Sequence, residues 1–187
     1  IGDVDGTTAS NSGKGIEVSS SATLGDYDLS AVSYLSLAAN QTLAGQLNLQ
    51  TNGELRTSGD GQYIGDIALA GGKFSATDDQ VLGGTLSITA DSELLVASGS
   101  TLELSQTGGL SLGGNALTLS GGGSLVSGGV TLNNASSKLL LNSITVDSVS
   151  TTIDNSLGVD VDNDSTITSL SVANITPVSI ASGKTLS

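Results

Sequence analysis

The sequence predicts an all-β chain wound as a parallel β-helix (β-solenoid) of about nine coils, each of roughly 20 residues. Three observations carry that prediction. Apolar residues recur as apolar-x-apolar dyads, a seven-residue cassette keeps returning, and both fall at intervals of about 20 residues along the 187-residue chain.

The dyads come first. They run through Leu35 and Leu37, Leu47 and Leu49, Ile67 and Leu69, Leu86 and Ile88, Leu102 and Leu104, Leu110 and Leu112, and Leu117 and Leu119. Val130 and Leu132, Val159 and Val161, Leu170 and Val172, and Val178 and Ile180 complete the series. Spacing of two places both members on one face of a strand. No segment sustains a helical period, and the intervening Ser, Thr and Gly disfavour helix.

The cassette contains the dyad. An apolar residue is followed six positions later by Leu or Ile, with turn formers between and Thr, Glu or Ser just before the second. Copies start at Val18, Leu37, Leu49, Ile88, Val96, Leu119, Val161 and Ile180. Their fourth positions are Ser21, Asn40, Asn52, Asp91, Gly99, Gly122, Asp164 and Gly183, mostly residues that tolerate positive φ. Each copy therefore reads as strand, tight corner, strand. The extra cassettes at Leu37 and Val96 break the rhythm and predict bulges or longer loops.

Stacked coils about 4.8 Å apart make a rod roughly 40 Å long, with Leu, Ile and Val in ladders along its axis. Composition agrees. The chain has 26 Gly, one Pro, three Tyr, one Phe and no Trp or Met, so its core must be narrow enough for mid-sized aliphatics to meet. A disordered chain would be poorer in Leu, Ile and Val. A β-sandwich would draw on longer alternating strands and more hairpin dipeptides than the single Asn52-Gly53. The whole of residues 1–187 reads as one solenoid domain. The chain opens on Ile1 with no initiator Met or signal peptide, as a mature or excised piece of something larger.

The same composition excludes functions. With no Cys and no His there is no thiol nucleophile, no Ser-His-Asp triad and no ordinary zinc site. Five Lys plus Arg against 18 Asp plus Glu give a net charge of −13, which repels nucleic acid and anionic membrane. No apolar run reaches the length of a membrane span.

Several stretches resemble the passenger regions of bacterial autotransporters and filamentous-haemagglutinin-type surface adhesins. They are Gly108-Gly109-Leu110-Ser111-Leu112-Gly113-Gly114, the run from Ala116 to Gly123, Gly128-Gly129-Val130-Thr131-Leu132, and the Ala-Ser-Gly-x-Thr-Leu copies at 97–102 and 181–186. The resemblance implies a right-handed β-helix, secreted to the bacterial cell surface, with a role in adhesion, aggregation, biofilm or fibre formation.

Candidate sites are few. In Val159-Asp160-Val161-Asp162-Asn163-Asp164, inward valines would leave Asp160 and Asp162 on the outer face with Asp164 at the corner. Crowded carboxylates of this kind invite a calcium ion, although the mid-loop Gly and final Glu of an EF-hand are missing. The plain alternative is a solvated acidic face that keeps rods apart. Asp3 and Asp5 form a weaker pair of the same type. A polysaccharide-active enzyme needs paired acids in a cleft and aromatic platforms, or several basic groups, and Arg56 is the only Arg; Asp78-Asp79 reads as a loop, and the chain as no enzyme. Gly121-Gly122-Gly123-Ser124 lacks the Lys and helix of a phosphate loop and reads as a corner. Thr166 and Thr168 are too few for an ice-binding array. The glycosylation-like triplets at Asn40, Asn134, Asn163 and Asn174 are expected by chance in Ser/Thr-rich corners. Tyr27, Tyr34, Tyr63 and Phe74 are read as filling a wider part of the core, with a partner-contact patch as the alternative.

No amphipathic capping helix marks either terminus, and the last cassette stops midway. The expected role is therefore a structural surface protein whose ends continue into more coils or stack on copies of itself, a homo-oligomer or filament formed through the solenoid ends. A monomeric adhesin contacting glycans or cell surfaces is the second expectation.

Overall fold

A computed structural model describes residues 15–18, 22–29, 34–37, 42–57, 62–63, 65–154, 156–173 and 176–187. Every regular element in it is a β-strand, and every strand pair is parallel. The chain is a β-solenoid, as its period-two dyads predict.

The strands form three sheets. The longest stacks nine: β1 (Gly15–Val18), β3 (Tyr34–Leu37), β5 (Glu54–Thr57), β8 (Lys73–Ala76), β11 (Ser92–Val96), β14 (Ala116–Ser120), β17 (Lys138–Asn142), β19 (Gly158–Asn163) and β21 (Val178–Ile180). A second sheet holds β2 (Ala22–Leu29), β4 (Thr42–Gln50), β7 (Asp66–Ala70) and β10 (Leu86–Ala90), with the short β6 (Gln62–Tyr63) beside β4. The third holds β9 (Gln80–Leu82), β12 (Thr101–Leu104), β13 (Leu110–Ser111), β15 (Ser124–Val126), β16 (Val130–Leu132), β18 (Thr145–Thr151) and β20 (Thr166–Ser171).

Register in the nine-stranded sheet follows the predicted interval. Gly15 pairs with Tyr34, Tyr34 with Glu54, Glu54 with Lys73 and Lys73 with Glu93, steps of 19 or 20 residues. The step from Ser92 to Leu117 is 25 residues, where the extra cassette at Val96 lies. This coil carries β12 and β13 as two separate short strands, as its neighbours carry β9 and β10 and then β15 and β16. In later coils the same path is covered by the single, longer β18, which pairs with both β15 and β16.

The core is one aliphatic column. A continuous ladder passes through Leu35, Leu55, Phe74, Leu94, Leu119, Leu141 and Val161 on successive strands, all buried. Both members of each dyad from Leu35 and Leu37 to Val159 and Val161 are buried. Burial of such side chains, at roughly 1.5–3 kcal/mol each, offsets the entropy of ordering the chain. Phe74 is buried within the ladder, so it fills core volume. Its neighbours in the adjacent inward column are the small Thr57 and Ala76, where other coils place Leu37 and Val96. That exchange of large for small keeps the column width constant. Thr57 fits there at a cost, because its buried Oγ1 has no hydrogen-bond partner. The side chains of Tyr27, Tyr34 and Tyr63 lie outside those described.

Corners are built in two ways. Asn52, Gly99, Gly122 and Gly183, four of the predicted fourth positions, have φ of 65°, 83°, 83° and 74°. Four-residue β-turns close around such positions: Gly53 N–H donates to the Gln50 carbonyl at 2.8 Å and Ser100 N–H to the Ala97 carbonyl at 3.0 Å. Asp91 and Asp164 depart from the expectation and keep negative φ, and their carboxylates do the work instead. Asp91 Oδ1 accepts from the Ala116 N–H at 2.7 Å and Asp164 Oδ1 from the Thr185 N–H at 2.8 Å. Ser21 and Asn40 lie outside the described residues.

Candidate functional site

Acidic side chains at the corners act chiefly as clasps between coils. Asp66 Oδ1 accepts from Thr85 N–H at 2.7 Å, and Asp79 Oδ1 from Thr101 N–H at 2.8 Å, in the pattern of Asp91 and Asp164. Asp147 reaches the other way, accepting from the N–H groups of Ser127 and Gly128 at 3.2 and 2.9 Å. Such bonds satisfy backbone donors at corners, where the strand ladder is interrupted, and a charged acceptor makes them stronger than neutral ones. The Asp78-Asp79 loop expected from sequence lies between β8 and β9 and supplies one of these clasps.

The run from Val159 to Asp164 folds as its alternation predicts. Val159 and Val161 are buried, and Asp160 faces outward. The three carboxylates are nonetheless used separately. Asp160 binds Lys138 Nζ at 2.7 Å. Asp162 is exposed at a bulge, since Leu141 pairs with Val161 but Asn142 with Asn163. Asp164 holds both the N–H and the Oγ1 of Thr185. The crowding of negative charge seen in the sequence is met by an ammonium group. The hydrogen bond and charge of Asp160, with a further contribution from Asp162, hold the Lys138 pKa above its ordinary 10.5. Among the described residues, no three acidic side chains are grouped so as to hold a metal ion. Asp3 and Asp5 lie outside the described residues.

A groove of about 510 Å³ crosses the outer face of the nine-stranded sheet, lined by Asn52, Glu54, Lys73, Asp91, Glu93 and Thr118. Its acids are all engaged. Glu54 binds Arg56 at 2.7 Å and accepts from Ser75 Oγ at 2.6 Å. Glu93 binds Lys73 at 3.1 Å and accepts from Ser120 Oγ at 3.0 Å. Burial works to raise the Glu54 pKa, but the hydrogen bonds of Arg56 and Ser75 and the charges of Arg56 and Lys73 outweigh it, holding the carboxyl below its ordinary 4.5. In the groove Glu54 and Glu93 are thus matched by cations, and Asp91 accepts the Ala116 N–H.

Asp164 is likewise held below its ordinary 3.8, by the backbone and then the side-chain hydrogen bond of Thr185. Both groups take up protons less readily folded than unfolded. Their contribution to stability is complete above those ordinary values and is lost as pH falls through the lower folded ones. The melting temperature is accordingly expected to hold level down to about pH 5 and to decline through the range below about 4.5. In Asp164→Asn, which keeps an acceptor oxygen but does not titrate, the decline measured by circular dichroism becomes shallower.

The strongest departure from the buried pattern is at the last coil. Leu170 and Val172 are 39% and 45% exposed, and Val178 and Ile180 37% and 46%. These are the last two dyads. Val178 and Ile180 continue the inward columns of Val159 and Val161, and Leu170 that of Val149. β21 ends its sheet, so one edge of it has no strand partner among the described residues. Sequence patterning identified these dyads but not their exposure, because their spacing is identical to that of the buried ones.

No helix among the described residues is long and apolar enough to cross a membrane. The chain matches no protein-family model, no curated protein and no solved structure.

Proposed function

We propose that this chain is a structural, extracellular rod, a subunit or segment of a cell-surface fibre assembled by end-to-end stacking of coils, with no catalytic role. One observation supports the reading: the inward-facing dyads from Leu35 and Leu37 to Val159 and Val161 are buried, whereas those of the last coil are half open, beside a strand edge with no partner among the described residues. A further coil laid on β21 covers them. Burying the open parts of Leu170, Val172, Val178 and Ile180 contributes roughly 2–5 kcal/mol. That alone falls short of the estimated 4–15 kcal/mol lost in translational and rotational freedom. Parallel strand hydrogen bonds across the junction supply the rest, so growth depends on concentration. The extracellular placement rests on the resemblance in composition to surface β-helix proteins.

Electron microscopy of the purified chain tests this reading. The expected result is particles whose length rises with concentration and which shorten to single rods in Ile180→Lys, where an ammonium interrupts the junction. Rods of constant length, unaffected by that substitution, would overturn it and favour the monomeric adhesin, to be tested by binding to immobilised glycans and cells.

A further inference from the structure

The outer face of the nine-stranded sheet differs from the rest of the surface in charge. Four cations are among the described residues, and Arg56, Lys73 and Lys138 stand on this face, bonded to Glu54, Glu93 and Asp160. Four described acids, the exposed Asp162 of β19 included, stand there with three bases. Elsewhere Lys184 is the only described cation among many acids. Copies of a chain carrying −13 repel one another least across this face.

The order of those charges matters more than their sum. One outward column passes through Glu54, Lys73, Glu93, Thr118, Leu140 and Asp160 on β5, β8, β11, β14, β17 and β19. Lys138 lies two residues before Leu140 on β17. Counted from Thr118, one strand away stand Glu93 on one side and Lys138 on the other. Two strands away stand Lys73 and Asp160. Charges at equal distances from the centre are opposite in sign.

We infer that two copies of this chain pair side by side through this face with their long axes antiparallel, related by a two-fold axis at Thr118. In that arrangement Lys73 meets Asp160 of the second copy, and Glu93 meets the second copy's Lys138. The two internal ion pairs join into four-charge networks, which hold better than isolated surface pairs. A parallel arrangement places each charge against its like and is excluded by the same pattern. The half-buried, outward Leu95 and Leu140 add apolar contact beside the centre. Seven strands at about 4.8 Å and about five residues at 3.3 Å give roughly 550 Å² per copy, ~1,100 Å² in all, the low end of what a specific pair needs.

Charge exchange tests the pairing, read by sedimentation equilibrium of the 187-residue chain. Lys73→Glu and Asp160→Lys are each expected to raise the dimer dissociation constant about tenfold or more, although the second lowers the net charge. The double variant K73E/D160K is expected to recover dimerisation. It has the wild-type net charge, and within one copy both of its new charges face like charges, so recovery arises only across the interface. X-ray scattering should find a particle of doubled cross-section and unchanged length. The inference is overturned by a wild-type chain that stays monomeric up to about 1 mM, by single variants that pair like wild type, or by a double variant that does not recover. Doubled length without widening also overturns it, while leaving end-to-end stacking intact.

Discussion

Leu141→Ala is expected to lower the stability of the chain by about 2–5 kcal/mol, whereas Leu140→Ala, one residue away, costs less than about 1 kcal/mol. The two leucines are neighbours in sequence and identical in type. Leu141 is fully buried, stacked between Leu119 below and Val161 above, whereas Leu140 lies on the outward side of the same strand. Truncating Leu141 removes its transfer free energy and leaves a cavity in a column with little slack, because flanking coils are fixed by strand hydrogen bonds. Urea unfolding followed by circular dichroism measures both. Equal losses would mean that the inward ladder is not what holds the coils together.

Gly121→Ala is expected to be as damaging, and for a different reason. Gly121 has φ of 110°, and a Cβ there would sit 2.3 Å from the Val96 carbonyl oxygen of the preceding coil. A contact that short with backbone forces adjacent coils apart, in addition to the strain of the backbone angle. Gly99→Ala is the control. Its φ is 83°, but a Cβ would meet nothing within 4 Å. The control therefore isolates the conformational cost of about 1–2 kcal/mol, and Gly121→Ala should exceed it by several kcal/mol in the same denaturation experiment. Matching losses would show that spacing between coils is not set by glycine at this corner.

These two pairs of variants separate what is local from what is not. That Leu141 points inward and Leu140 outward is legible from alternation alone, as is the corner at Gly121 to Gly123. The distance from Gly121 to Val96 is not, because the two lie 25 positions apart. The acids divide in the same way. Asp160 could be read as outward from its flanking valines, but its partner Lys138 lies 22 residues earlier, so the ion pair is not legible in the linear order. Asp91 and Asp164 were legible as corner residues, yet their acceptor role depends on a backbone N–H of the following coil. The alternation of Glu54, Lys73 and Glu93 along the axis is invisible in a linear reading, where they lie 19 and 20 residues apart.

The amino-acid order alone determined the period of two, the places where the chain turns and the interval of about 20, because each arises within a few consecutive residues. Those suffice for stacked parallel coils around an aliphatic column. Only the tertiary structure decided how the strands divide among three sheets, which acids clasp backbone and which meet cations, and which dyads remain open. Each of those depends on what lies one coil above or below, and register between coils is set by the length of the turn that separates them.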